Sequence, residues 1–381
     1  MISPFSNRNW RNTVFVGLAL CGGLVSPANA QLSGGGQGLG AIAQASGAVN
    51  PIAFANKSGA LWTHHWSGSR WYWTNHGNPA PSDSIAFAIG ASSWNYINNE
   101  RWPFTWLVGA NNVLYSRDYG FSTGAAWTWV NHGSVGSVLP VGSTNGYYPG
   151  AGNRPHAFFI NASGSLFSRD WTGSVWQSTD HGYPPGTAGN ILGIGTLAVA
   201  VGNTEFPYAF VIANDGNLWS RRWDGSSWLW ENLGAPASGV AAGLGTTVTA
   251  GGTHPFVFVK GNDDTVHSRS WNGSAWVWTS HGAPPGLSIS SSLGATCGDN
   301  CGTAHVFVTA SDGNVWSLGT SGSAGTWFNH GTPTGVSIVG SAGATAVSNT
   351  RPYVFVVGSD GNLWLRWWSG SAWGWSNRGQ P

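Results

Sequence analysis

The sequence predicts an all-β fold, a seven-bladed β-propeller with four antiparallel strands per blade and each blade contiguous in sequence. Three observations predict it. A Trp-rich hairpin recurs seven times at a nearly constant spacing. Two further strand-like runs precede each hairpin, in a fixed order from small to bulky residues. No segment sustains a helical period.

The hairpin is clearest at Asp215–Pro236, DGNLWSRRWDGSSWLWENLGAP. Asp215-Gly216 and Asp224-Gly225 are turn dipeptides, and the alternating bulky residues between and after them read as two paired strands. Period-2 alternation puts Trp219, Arg221 and Trp223 on one side of the first strand, and Trp228 and Trp230 on one side of the second. A connection of two or four residues pairs Arg221 with Trp228 or Trp230 and gathers the set on one face. An odd, bulged connection would separate them. An Arg among indoles gains about 0.5–2 kcal/mol per cation–π contact, and its planar fork keeps donors free at the edge. Such a wall can brace a repeat, hold a sugar, or do both.

The copies span Leu61–Pro79, Leu114–Ser134, Leu166–Pro184, Leu218–Pro236, Val266–Pro284, Val315–Pro333 and Leu363–Pro381, with an insertion in the second at Gly120–Gly124. Their closing glycines, Gly77, Gly133, Gly182, Gly234, Gly282, Gly331 and Gly379, are separated by 56, 49, 52, 48, 49 and 48 residues, about one propeller blade. Upstream lie aliphatic and aromatic runs such as Pro207–Ile212, Pro255–Val259, His305–Thr309 and Pro352–Val357. Upstream again lie small-residue runs: Ile191–Val201, Val240–Thr249, Ser288–Thr296 and Ser337–Val347. Small residues suit a crowded inner strand and large rings a flared rim, which favours a propeller over a sandwich. The expected blades are approximately 38–81, 82–136, 137–186, 187–239, 240–286, 287–335 and 336–381. An inner strand at Gly38–Ser46 starts the first, so the ring should close by packing of blade one on blade seven, without a shared strand.

Residues 1–30 read as a signal peptide: Arg8 and Arg11, an apolar run over Thr13–Val25, and Ala28-Asn29-Ala30 as an A-x-A cleavage pattern. Residues 31–381 would then form one secreted, extracellular domain. The run is too short to span a membrane, and Leu20 before Cys21 disfavours a lipid anchor. Charged residues are only 8% of the chain and the formal net charge is +1, which excludes a basic nucleic-acid surface and gives no drive toward membranes. High Trp content with low charge excludes disorder. Cys297 and Cys301, in CGDNC, should form a short-loop disulfide in an exported protein. Two thiols without a nearby His or Cys do not make a metal site, and no cofactor motif is present. Asn56, Asn161 and Asn272 lie in N-x-S/T sequons.

The repeat D-G-N-L-W-S-R-x-W-x-G-S-x-W-x-W-x-x-H-G-x-P resembles that of the Photorhabdus-type seven-bladed propeller lectins, over nearly the whole mature chain. Asp360–Pro381 and Asp264–Pro284 carry it well. The resemblance implies a multivalent lectin without catalytic residues. It implies fucosylated or O-methylated glycans as partners, held in clefts between adjacent blades, and it allows homo-oligomers. The candidate binding residues, by copy, are Trp62, Trp66, Trp71 and Trp73; Arg169, Trp171 and Trp176; Trp219, Arg221, Trp223, Trp228 and Trp230; Arg269, Trp271, Trp276 and Trp278; and Trp364, Arg366, Trp368, Trp373 and Trp375. Arg117 belongs to the same arginine set.

Departures rank the copies. His64 stands at the Arg position in copy one, Tyr119 replaces a Trp in copy two, and Ser178 replaces the last Trp in copy three. Leu233 and Arg378 replace the histidine in copies four and seven. Copy six has Leu318 and Thr320 and is the weakest candidate; copies four, five and seven are the strongest. The histidines before the closing glycines, His76, His132, His181, His281 and His330, read as hydrogen-bonding caps of the strand-end turn.

Two rival functions remain. A protein-binding propeller, or the receptor-binding part of a toxin system, needs no different sequence. An enzyme is disfavoured. The turn at Ser359–Trp364 resembles the Asp-box turn of sialidase propellers, which lies away from their chemistry. Glycosidases need two carboxylates about 5–10 Å apart, whereas Asp215, Asp224, Asp263, Asp264, Asp312 and Asp360 sit at repeat turns and Glu100, Glu205 and Glu231 in different repeats. No nucleophile-elbow, zinc-protease or phosphate-loop motif is present.

Overall fold

Seven antiparallel sheets of four strands, each made of strands consecutive in sequence, form the propeller. The computed structural model describes residues 37–381 except 47, 68, 96–100, 120–125, 149–151, 190, 202–203 and 348–350. The expected signal peptide, Cys21, Glu100 and the Gly120–Gly124 insertion lie outside the described residues.

Blade one is β1 (Gln37–Ser46), β2 (Ala48–Lys57), β3 (Ala60–Trp66) and β4 (Trp71–Gly77). Blade two is β5 (Ile85–Asn95), β6 (Arg101–Gly109), β7 (Val113–Tyr119) and β8 (Trp127–Ser134). Blade three is β9 (Leu139–Tyr148), β10 (Gly152–Ile160), β11 (Leu166–Trp171) and β12 (Trp176–Gly182). Blade four is β13 (Leu192–Val201), β14 (Thr204–Ile212), β15 (Leu218–Trp223) and β16 (Trp228–Gly234). Blade five is β17 (Val240–Thr249), β18 (His254–Gly261), β19 (Val266–Trp271) and β20 (Trp276–Gly282). Blade six is β21 (Ile289–Gly298), β22 (Thr303–Ala310), β23 (Val315–Thr320) and β24 (Thr326–Gly331). Blade seven is β25 (Ile338–Val347), β26 (Arg351–Gly358), β27 (Leu363–Trp368) and β28 (Trp373–Asn377).

The first strand of each blade packs on the first strands of its neighbours, and β1 meets β25 to close the ring. No strand is shared between blades one and seven, as the contiguous repeats require. The small inner residues have a direct cause. A Cβ on Gly245 would lie 2.6 Å from Ala295 Cβ, and one on Gly294 would lie 2.9 Å from the Ala344 backbone nitrogen. Both glycines sit at a register shift of the inner strand and have positive φ, 143° and 116°. Side chains there would push neighbouring blades apart.

The hydrophobic core lies between blades. Ile194 and Phe210 of blade four pack with Val257 and Val259 of blade five, and the same pattern recurs around the ring. The second strands place Phe54, Trp106, Phe158, Phe210, Phe258, Phe307 and Phe355 at equivalent buried positions. Burying each ring contributes about 1.5–3 kcal/mol.

Cys297 and Cys301 are joined in a disulfide at the turn between β21 and β22. Asn56 is buried and spent on local bonds, donating to the Ile85 carbonyl and accepting from Gly59 N–H. Its amide is therefore committed to hydrogen bonds in the folded blade. Asn272 remains exposed, with its carbonyl oxygen folded onto Ser274 and Ala275 N–H. No helix is long and apolar enough to cross a membrane among the described residues.

Candidate functional site

The outer hairpins of blades one, three, four, five and seven have an even, four-residue connection, whereas seven residues separate the paired Tyr119 and Trp127 in blade two. Residues Asp224–Ser227 join β15 to β16, and Arg221 pairs directly with Trp230, Trp223 with Trp228. The same register holds for Arg269–Trp278 and Trp271–Trp276, and for Arg366–Trp375 and Trp368–Trp373. Indole and guanidinium groups therefore share one face, and that face looks onto the preceding blade. The guanidinium carbon lies 5.2 Å from the Trp230 ring in blade four, 5.4 Å from Trp278 in blade five, and 5.2 Å from Trp375 in blade seven. Beside it, the two indoles next to the connection meet with centroids 5.3–5.9 Å apart in blades one, three, four, five and seven. These are Trp66–Trp71, Trp171–Trp176, Trp223–Trp228, Trp271–Trp276 and Trp368–Trp373, and all ten are half-buried.

The second Trp of each fourth strand is tied to the neighbouring blade. Its indole N–H donates to the backbone carbonyl of the residue before the closing glycine of the preceding blade. The bonds are Trp73 to Arg378, Trp129 to His76, Trp230 to His181, Trp278 to Leu233, Trp327 to His281 and Trp375 to His330, all 3.0–3.2 Å. Blade three has Ser178 there, and Arg169 bonds its hydroxyl instead, at 2.9 Å. Trp73, Trp230, Trp278 and Trp375 thus act as straps between blades.

Trp219 and Trp364 have another local task. Their indole N–H groups bond the carboxylates of Asp215 and Asp360, as Trp316 bonds Asp312. Trp219 is only 8% exposed. These Asp–Gly turns hold the start of the third strand, so their carboxylates are not free for acid–base work. Trp62 occupies the same position in blade one and is half-buried.

The histidines act differently from the turn caps expected. Asn75, Asn131, Asp180, Asn232, Asn329 and Asn377 cap the turns, each accepting from the closing glycine N–H at 2.7–2.8 Å. The histidines face the next blade. His181 Nε2 lies 3.0 Å from Ser168 Oγ, and Arg221 Nε of blade four donates to His181 Nδ1 at 3.4 Å. His330 repeats the set with Ser317, 2.8 Å, and Arg366, 3.3 Å. An Nδ1 that accepts leaves the proton on Nε2, to be donated to the serine. Burial, then the neighbouring arginine, lowers the pKa of His181 and His330 to about 3. The imidazole is a neutral link between two blades. The first indole of the next fourth strand packs against it: Trp127 on His76 at 4.4 Å, Trp176 on His132 at 4.6 Å, Trp228 on His181 at 4.6 Å and Trp373 on His330 at 4.5 Å.

Two apparent departures compensate each other where the ring closes. Blade one carries His64 in place of Arg, and blade seven carries Arg378 in place of His. The two meet, with Arg378 4.3 Å over the Trp71 ring and His64 4.5 Å from Trp73. Burial, then Arg378, lowers the His64 pKa to about 3. The two residue types are exchanged between blades, but no hydrogen bond joins His64 to Arg378 as Arg221 is joined to His181. Leu365 stands where other third strands present the serine or threonine to the histidine, which Arg378 does not need.

Each cleft therefore has two unlike walls. The following blade supplies Arg and the indole pair. The preceding blade supplies the histidine position and, two residues earlier on the same face, Thr74, Val130, Thr179, Glu231, Thr279, Phe328 or Ser376. This second wall was missed in the sequence because it belongs to another repeat. Glu231 shows the contact directly: its carboxylate accepts from Trp276 of blade five at 3.2 Å and faces Arg222 at 3.5 Å. Among the described residues no acceptor binds the terminal Nη groups of Arg221, Arg269 or Arg366, whose side chains are half-buried. Blade six offers Leu318, Thr320 and Gly325 where blade four has Arg221, Trp223 and Trp228, so its cleft toward blade five lacks both the guanidinium and the indole pair. No group of three or more His, Cys, Asp or Glu side chains is placed to hold a metal among the described residues.

The fold is similar to that of solved lectins. The BP39L lectin from Burkholderia pseudomallei is 18% identical with a TM-score of 0.61, over 88% of this chain and 97% of that one. The fucose-specific lectin from Aleuria aurantia is 16% identical with a TM-score of 0.52, over 90% of this chain and 96% of that one. A variant of the Aleuria lectin in complex with Fucα1-6GlcNAc is 15% identical with a TM-score of 0.50, over 76% and 96%. No family model and no curated protein matches the chain. At these identities the likeness establishes the propeller fold.

Proposed function

We propose that this chain is a secreted, multivalent lectin that binds fucose or O-methylated sugars in the clefts between adjacent blades. One observation carries the reading. A half-exposed indole pair and a guanidinium with free Nη donors on blades four, five and seven face the cleft toward the preceding blade, in the arrangement an apolar sugar face and its hydroxyl groups need. The fourth-strand indole of each pair also packs on the preceding blade, as Trp228 does on His181, while its third-strand partner, such as Trp223, stays half-exposed beside it. The fold shared with fucose-binding propellers supports the choice of sugar. Trp223 with Trp228, Trp271 with Trp276, and Trp368 with Trp373 would stack on the sugar, and Arg221, Arg269 and Arg366 would bind its hydroxyls. Several weak clefts on one rigid ring gain avidity on a multivalent glycan surface.

The test is a glycan array on the mature protein, followed by calorimetry with methyl α-L-fucoside. The expected result is binding to fucosylated or O-methylated glycans, competed by free fucose, with more than one site per chain. A stoichiometry of zero, or binding to a protein partner that persists under saturating fucose, overturns it.

A further inference from the structure

The clefts in front of blades four, five and seven share one wall and differ in the other. On the preceding blade the residue two before the histidine position is Thr at three clefts, Ser and Val at one each, Glu231 at the cleft between blades four and five, and Phe328 at the cleft between blades six and seven. Phe328 is 48% exposed, although a benzyl group gains by burial. Its ring lies 4.8 Å from His330 and 6.5 Å from Trp373 of blade seven, tilted 30° to that indole. His330 lies 4.5 Å from the same indole. The three rings make an open cup, with His330 as base and Phe328 and Trp373 as sides, beside the Arg366 guanidinium.

Resting on the lectin reading, we propose that this position determines the specificity of each cleft, and that Phe328 makes the blade six–seven cleft a site for glycosides bearing an apolar aglycone. The sugar lies against Arg366 and the Trp368–Trp373 pair, and the aglycone packs on the exposed face of Phe328 at the rim of the cup. In the blade four–five cleft the same position places a carboxylate against Trp276. That cleft accepts hydroxyl donors and gives an aromatic aglycone no partner.

Calorimetric titration with methyl α-L-fucoside and 4-nitrophenyl α-L-fucoside tests the assignment. In the wild type one site should bind the aryl glycoside about tenfold more tightly than the methyl glycoside, the size of one added aromatic contact. Phe328→Thr copies the residue found at Thr74, Thr179 and Thr279, so the blade keeps a side chain this position already accepts. It should abolish the aryl preference, so that the aryl and methyl glycosides then bind with the same affinity. Thr179→Phe should create a second tight aryl site between blades three and four. If the methyl fucoside binds but the aryl preference is absent, or survives in Phe328→Thr, the assignment of Phe328 is wrong and sugar binding stands. If neither fucoside binds the wild type, the lectin reading falls with it.

Discussion

The junction between blades three and four and the junction between blades five and six are built on one plan, and their difference separates the contacts that dock a blade from the residues of the proposed sugar site. Both keep the indole strap, Trp230 to the His181 carbonyl and Trp327 to the His281 carbonyl. Both keep the histidine bonded to a serine of its own blade, Ser168 and Ser268. Only the first has the guanidinium and the indole pair. In the second, Gly325 stands where Trp228 does, and its backbone N–H donates to His281 Nδ1, replacing the arginine. Leu318 fills the remaining space, since a Cβ on Gly325 would lie 2.4 Å from its Cδ1. A blade can therefore dock without Arg and the indole pair, but the strap and the neutral histidine remain. At these two junctions the shared strap and histidine carry the docking, and Arg221 with the Trp223–Trp228 pair is what the first adds.

The largest effect should come from the straps. Trp327→Ala and Trp375→Ala each remove a half-buried indole and its hydrogen bond, and each should lower stability by about 2–4 kcal/mol in urea unfolding. Trp327→Ala should leave fucoside stoichiometry unchanged. A loss of sites on Trp327→Ala would erase the distinction between the two junctions.

The exchanged pair at ring closure comes next. His64→Arg alone sets two guanidinium groups against each other across the seam and should cost about 1–3 kcal/mol. Adding Arg378→His restores the arrangement of the other junctions and should recover most of the loss. Additive losses in the double-mutant cycle would show that the two residues do not act as a pair.

The histidine links predict an acid response. Burial first, and a neighbouring arginine where one is present, depress the pKa of His76, His132, His181 and His330 to about 3; burial and His267 depress that of His281 to about 4. Unfolded histidines take up protons below about pH 6.5, but the folded ones do not until about pH 3–4. Stability is thus complete above pH 6.5 and falls as the pH drops through that window. His330→Leu copies Leu233 of blade four. Urea midpoints at pH 7 and 4.5 should show a shallower acid loss in that variant than in the wild type. An equal loss would mean His330 does not enter the linkage.

The smallest effect on stability, and the largest on binding, belongs to the cleft face. Arg269→Ala with Trp271→Ala should cost about 1–2 kcal/mol and leave the fold intact by circular dichroism, while calorimetry counts one fucoside site fewer. Unfolding of the double variant would make these residues braces after all.

The loop parity left open in the sequence shows where local reading ends. An even or odd connection at Asp224-Gly225 decides whether Arg221 faces the indoles, and only the Arg221–Trp230 register decides it. The histidines show a second limit. Their recurrence was visible, but their partner lies a blade away, as Arg221 does from His181, with 40 residues between them. His64 and Arg378 looked like two separate defects because 314 residues of chain lie between their positions, and only ring closure brings them together.

By itself the sequence determined the seven repeats, the small-to-bulky strand order, and the side that Trp and Arg share within each single strand. Those follow from turn chemistry and the two-residue period of a strand, which act over a few residues. Only the tertiary structure decided which blade completes each cleft, which tryptophans are straps, and why Glu231 and Phe328 face indoles of a blade they do not belong to. Contacts between repeats carry no periodic signature along the chain. They arise when rigid sheets dock, and the geometry of the ring sets which side chains meet.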